Sequence, residues 1–103
     1  MSEEYAEAVL DVVDAIPPGR VMTYGGIAEV IFDRLGRGGP RQVGTVLSRM
    51  GGEVPWWRVV NASGRPPAPH ARVALERLTA EGCPLTPDGQ RVSLARAAWS
   101  PAD

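Results

Sequence analysis

The chain has 103 residues, 44% hydrophobic and 22% charged, which fits a single globular domain over 1–103 with no room for a second. No apolar run approaches the ~18 residues of a membrane span, and the acidic start is the opposite of a secretory leader. One cysteine, Cys83, and one histidine, His70, exclude an internal disulfide framework and a Cys/His metal cluster. The net charge is -1, but residues 1–19 carry five acids and no base, whereas residues 20–72 carry eight arginines against three acids. That middle segment is the part suited to an anionic partner.

Residues 3–15 are predicted as an amphipathic helix, because Tyr5, Val9, Val12, Val13 and Ile16 recur at helical spacing. Ser2 is its expected N-cap, and Pro17-Pro18-Gly19 stops it. Thr23 is placed to cap a second helix over 24–34, with Ile27, Ala28 and Ile31 inward. A glycine-rich turn over 36–39 leads to a third helix over 40–50, opened by Pro40. Val43, Val46, Leu47 and Met50 define its inner side, and Gly51-Gly52 end it. Two short helices around such a turn are a helix-turn-helix candidate, with a turn longer than usual. Next come a partly apolar run over 54–60, a turn over 61–64, and a stiff connector with Pro66, Pro67 and Pro69. A fourth helix is predicted over 70–81, with Val73, Ala74 and Leu78 inward and Gly82 closing it. Asp88-Gly89 is a hairpin-type turn before a short strand over 91–94. The fold class is therefore mainly α with short β strands: a helix-turn-helix, winged-helix-like domain.

The catalytic inventory is thin. His70 follows three prolines and reads as a solvent-facing connector residue. Cys83, between Gly82 and Pro84, reads as a small buried hydrophobe. The turn over 36–39 lacks the Lys and Ser/Thr of a phosphate loop. No cofactor is indicated, and a binding module is the expectation.

Four segments together carry a family resemblance. Pro55-Trp56-Trp57-Arg58-Val59 resembles the Pro-Cys-His-Arg-Val active-site motif of the O6-alkylguanine-DNA alkyltransferases. Residues 16–28, Ile-Pro-Pro-Gly-Arg-Val-Met-Thr-Tyr-Gly-Gly-Ile-Ala, are similar to that family's Ile-Pro-x-Gly-x-Val-x-Thr-Tyr-Gly-x-Ile-Ala. Arg41-Gln42-Val43-Gly44 resembles its Arg-Ala-Val-Gly, and Leu78-Thr79-Ala80-Glu81-Gly82 its Leu-Leu-x-x-Glu-Gly. The four lie in the family's order across about residues 5–82. Trp56 stands where the family has its acceptor cysteine, and Trp57 where it has the activating histidine. Tryptophan offers no nucleophile for this chemistry. The pattern resembles the alkyltransferase-like proteins, which bind O6-alkylguanine without repairing it. Gly51-Gly52-Glu53 and residues 66–70 depart from the family's hinge and lesion-loop patterns.

The resemblance implies a non-enzymatic protein that binds double-stranded DNA through the minor groove and flips an O6-alkylated guanine. Tyr24 helps rotate the nucleotide outward, and Arg41 fills the gap in the stack. Thr23, Tyr24, Arg41, Gln42 and Arg49 are the expected DNA-binding residues. Tyr24, Pro55, Trp56, Arg58, Val59 and Ser63 are the expected lesion pocket. With no histidine at 57, Glu81 reads as a structural residue at a helix end. Nucleotide excision repair proteins are the expected partners, with a monomeric state and a cytoplasmic location, on the nucleoid when DNA is bound. Two other readings stay open: a sequence-reading transcriptional helix-turn-helix using Gln42, Thr45 and Arg49, and a residual enzyme using Cys83 as alkyl acceptor.

Overall fold

The structure, a computed structural model, describes residues 2–102. Met1 and Asp103, the two ends of the expected domain, lie outside the described residues. The first helix, α1 (Glu3–Ala15), starts where the Ser2 hydroxyl oxygen accepts from the Tyr5 N–H at 3.1 Å. Its apolar stripe is buried along Tyr5, Ala6, Val9, Val12 and Val13. A short strand, β1 (Met22–Thr23), runs directly into α2 (Tyr24–Leu35). Thr23 caps α2 as expected, its Oγ1 accepting from the Gly26 N–H at 2.9 Å. Helix α3 (Pro40–Met50) has Pro40 in its first turn, where no N–H is needed.

The turn between α2 and α3 is pressed onto α1. At Gly38, φ is 91° and an added Cβ would lie 2.3 Å from the Tyr5 ring, so the backbone fits only with glycine there. Val9, Val13, Ile27, Ile31, Val43 and Val46 fill the space between the three helices and are fully buried. Each such side chain contributes ~1.5–3 kcal/mol relative to its exposed state. Met50, expected inward, is instead exposed, because α3 ends on it and the chain turns away through Gly51.

After α3 the chain makes a 3₁₀ turn over Trp56–Arg58 and enters β2 (Val59–Val60), which pairs in parallel with β1. Met22 lies opposite Val59 and Thr23 opposite Val60. Successive strand residues face opposite sides, so this short ladder feeds two cores. Met22 and Val59 join the helical core, while Val21 and Val60 join a second one with Leu78, Cys83, Val92 and Ala97.

Helix α4 (Ala71–Ala80) lays Ala74 and Leu78 against this second core. Val73, expected inward, is exposed; it precedes Ala74 and falls about 100° round the helix from it. The expected strand over 91–94 reduces to one antiparallel bridge, Leu85 to Val92. The turn before it forms, but Ser93 already starts the short helix α5 (Leu94–Ala97), accepting from the Ala97 N–H at 2.9 Å. No helix among the described residues is long and apolar enough to cross a membrane.

Candidate nucleic-acid interface

A cavity of about 360 Å³ opens between α3 and the chain that follows it. One face of α3 supplies Gly44, Leu47 and Ser48, at the i, i+3, i+4 spacing that aligns residues on a helix. Gly51 and Gly52 after α3, Trp56, Pro67, His70 and Tyr24 complete the lining. The half-buried Trp56 ring meets Trp57 edge-on at 5.9 Å and His70 at 5.7 Å. The β1–β2 pairing sets this geometry. Tyr24 directly follows β1 and Trp56–Arg58 directly precedes β2, so two hydrogen-bonded strands fix one against the other.

Tyr24 also walls two neighbouring hollows. Burial pushes its phenol above the ordinary value of 10.0, so it stays a neutral hydrogen-bonding group. One of these hollows is a shallow groove where the starts of α2 and α3 meet, bounded by Thr23, Tyr24, Gly25, Pro40, Arg41 and Asn61. Helix starts present unpaired backbone N–H groups and a positive dipole end, the arrangement that receives phosphate. The Arg41 side chain stands exposed beside this groove, with no hydrogen bond or ion pair among the described residues.

The other expected DNA-binding residues on α3 differ from Arg41. Gln42 folds back, its Oε1 accepting from the Gly39 N–H at 3.0 Å. The Thr45 hydroxyl donates to the Arg41 carbonyl at 3.0 Å. Two of the three candidate base readers thus bond back to their own helix, Gln42 at its N-terminal cap and Thr45 to the preceding turn. Arg49 is exposed, but lies about 80° round α3 from Arg41.

The residues expected to form the lesion pocket do not all line this cavity. Arg58 turns inward: its Nε donates to Glu81 Oε1 at 3.1 Å, its Nη2 to Oε2 at 2.5 Å and its Nη1 to the Ile16 carbonyl at 2.8 Å. Val59 is fully buried in the helical core. Ser63 is exposed in the turn after β2, its N–H donating to Asn61 Oδ1 at 2.9 Å. Pro55 precedes the 3₁₀ turn and stays outside the lining. Tyr24 and Trp56 do line the cavity. Leu47 follows from the apolar spacing of α3, whereas nothing in the sequence marks Gly44 and Ser48 as lining; His70 is exposed, as expected after three prolines, and also lines the cavity.

Glu81 is structural, as expected, and holds more than its helix end. Besides Arg58 it accepts from the Gly19 N–H at 3.2 Å and from the Trp57 indole Nε1–H at 3.1 Å. Burial disfavours its charge, but the hydrogen bonds from Arg58, Gly19 and Trp57 outweigh burial and hold the carboxyl below its ordinary value. The Trp57 ring lies under the guanidinium groups of Arg77, at 4.5 Å, and Arg58, at 5.4 Å. Cys83 is buried in the second core, away from the cavity, and burial raises its thiol pKa.

A helix-turn-helix with a tryptophan-walled cavity at its flank defines a DNA-binding domain of the alkyltransferase type. Residues 4–83 match the family described as 6-O-methylguanine DNA methyltransferase, DNA binding domain, and the chain belongs to that family as an alkyltransferase-like protein. It is 36% identical over 105 residues to the DNA base-flipping protein of Escherichia coli (strain K12), covering 95% of this chain and 76% of that one. It is 30% identical to the DNA base-flipping protein of Vibrio parahaemolyticus, covering 96% and 99%. The crystal structure of S. pombe Atl1 in complex with damaged DNA containing O6-carboxymethylguanine superposes with a TM-score of 0.78 at 32% identity, covering 98% and 99%.

Proposed function

We propose that this protein binds double-stranded DNA through the starts of α2 and α3 and turns an O6-alkylated guanine into the cavity beside Trp56, without transferring the alkyl group. The observation that carries this reading is the pairing of that cavity with an exposed arginine, Arg41, that has no partner among the described residues. About 360 Å³ falls within the ~300–1,000 Å³ of small-molecule sites. Arg41 stands at the adjoining groove, ready to occupy the stack that the base leaves.

Trp56 presents a π-face, and stacking a base on an aromatic ring contributes ~1–3 kcal/mol. Extruding a base costs a few kcal/mol, least where pairing is already poor, as for an O6-alkylated guanine. The two effects together favour the lesion over its normal neighbours. Neither Trp56 nor Trp57 is a nucleophile, and the Cys83 thiol is buried outside the cavity, so the bound base keeps its alkyl group. The engagement of Gln42 and Thr45 with their own helix weighs against sequence reading. The resemblance to alkyltransferase-like proteins extends the reading to a cytoplasmic monomer that marks the lesion for nucleotide excision repair proteins.

The test is a salt-series titration of a duplex with one O6-methylguanine against its undamaged twin. Each phosphate contact contributes about -0.9 to the slope of log affinity against log salt, whereas stacking on Trp56 is not a counterion effect. The lesion duplex is expected to keep its affinity at salt concentrations that release the undamaged one. An affinity ratio near one at every salt concentration would make the protein a general DNA binder.

A further inference from the structure

The second hollow that Tyr24 walls has a volume of about 380 Å³. Pro66, Pro67, Ala71 and Leu75 give it apolar walls, and Asn61, Arg65 and Gln90 add polar groups. The hollow, the cavity beside Trp56 and the groove beside Arg41 all meet at Tyr24. The cavity and the groove also share Gly44, the groove and the hollow share Asn61, and the hollow and the cavity share Pro67.

Arg65 is the one charged residue of the hollow's lining. Its side chain is exposed and forms no hydrogen bond or ion pair among the described residues. Its backbone is fixed. Asn61 Oδ1 accepts from the Ser63 N–H at 2.9 Å and from the Arg65 N–H at 3.0 Å. The Asn61 N–H donates to the Arg65 carbonyl at 2.9 Å, and the buried Pro66 follows. Arg65 is thus held at its root and free at its tip. The neighbouring carboxylates are engaged elsewhere. Asp88 Oδ1 accepts from the Thr86 hydroxyl at 2.6 Å and from the Gln90 N–H at 3.0 Å. On α4, Glu76 pairs with Arg72 at 2.9 Å.

We propose that this hollow seats one sugar–phosphate unit of the lesion-bearing strand, with the phosphate against Arg65 and the deoxyribose against the prolines and Leu75. This rests on the base-flipping reading above. A nucleotide turned past Tyr24 into the cavity leaves its backbone at Tyr24, and the strand continues from there in two directions. One direction follows the starts of α2 and α3, and the other enters the hollow. Apolar walls suit the sugar but offer a phosphate no hydrogen bond. The guanidinium at the rim supplies both charge and paired N–H donors for phosphate oxygens. Arg65 is therefore a positioning residue: it holds the backbone and reads no base.

The experiment titrates a duplex bearing one O6-methylguanine over a salt series. Arg65→Ala is expected to make the slope of log affinity against log salt shallower by about 0.9, the share of one phosphate. Arg65→Lys should recover most of that slope, because it keeps the charge. Arg72→Ala removes an equal charge from a residue paired with Glu76 and should leave the slope as it was. A second set of duplexes carries one uncharged methylphosphonate at each phosphate flanking the lesion in turn. One position should weaken binding of the unmodified protein about tenfold, the lower range of a hydrogen bond to a charged group, and should leave Arg65→Ala unaffected. An unchanged slope in Arg65→Ala, an equal change in Arg72→Ala, or methylphosphonate losses that are the same with and without Arg65 overturns the proposal while leaving lesion binding intact. Equal affinity of the unmodified protein for the lesion duplex and its undamaged twin overturns the base-flipping reading and this one with it.

Discussion

The Trp57 indole N–H donates to Glu81 at 3.1 Å across 24 residues of sequence. The same carboxylate accepts from Arg58 and from the Gly19 N–H. The tryptophan thus shares a carboxylate with an arginine and a backbone N–H, and position 57 serves the scaffold. Glu81 ties the end of α4 to the turn after α1 and to the 3₁₀ turn that presents Trp56.

This arrangement predicts an acid-sensitive fold. The folded-state pKa of Glu81 lies below its ordinary value of 4.5. Its stabilisation is therefore complete well above that value and is lost as pH falls through it toward the lower folded value. Glu81→Gln leaves Arg58 without a counter-charge in a largely buried site, and the expected loss is about 3 kcal/mol at pH ~7. Urea unfolding at about pH 7 and pH 4 should show the variant losing less stability on acidification than the unmodified protein. Parallel losses in the two proteins would mean that this carboxylate is not the group titrating.

Arg41→Ala separates binding from folding. The side chain is exposed and unpartnered among the described residues, so stability should move by less than ~0.5 kcal/mol. Lesion binding should weaken by about 1–3 kcal/mol. A folded variant with unchanged affinity would remove Arg41 from the interface.

Most of the framework was legible because it is written locally. Ser2, Thr23 and Pro40 mark the helix starts, and the apolar spacing of Val9, Val13, Ile27 and Ile31 marks the buried faces. The cavity was half legible. Trp56 and Tyr24 stood in recognisable motifs, but the far wall depends on pairing distant in sequence. Gly64, at φ 84°, lies so close to Val92 that an added Cβ would fall 2.3 Å from the Val92 carbonyl oxygen. That contact ties the turn before the prolines to the chain beyond α4, on the path that leads to His70. The inward turn of Arg58 was not legible for the same reason: its partner Glu81 is 23 residues away and its burial is tertiary.

Trp56→Cys should not restore alkyl transfer. A thiol needs a neighbouring base to become a thiolate, and position 57 carries an indole already bound to Glu81. The double change Trp56→Cys with Trp57→His supplies both the nucleophile and a base beside Glu81, and slow methyl transfer is expected from it. Incubation with a labelled O6-methylguanine duplex reads both variants. Transfer by the single variant as fast as by the double would show that the base lies elsewhere in the cavity.

Gly44 gives a substitution that divides stability from recognition. It sits inside α3, where glycine costs ~1 kcal/mol relative to alanine. An added Cβ would meet Tyr24 Cε1 at 3.9 Å, an ordinary contact, and nothing closer. Packing within the protein therefore does not demand a glycine. Gly44 lines both the cavity and the groove beside Arg41, so a methyl group there takes up space the flipped base would use. Gly44→Ala is expected to stabilise the fold by about 0.5–1 kcal/mol and to weaken lesion binding, while affinity for undamaged duplex stays the same. Thermal unfolding and paired titrations of lesion and undamaged duplex measure the two effects separately. A variant that is more stable and binds the lesion as tightly as before would show that the base does not pass between α3 and Tyr24. An equal loss on both duplexes would place Gly44 at the DNA backbone instead, with α3 approaching the phosphates too closely to admit a methyl group.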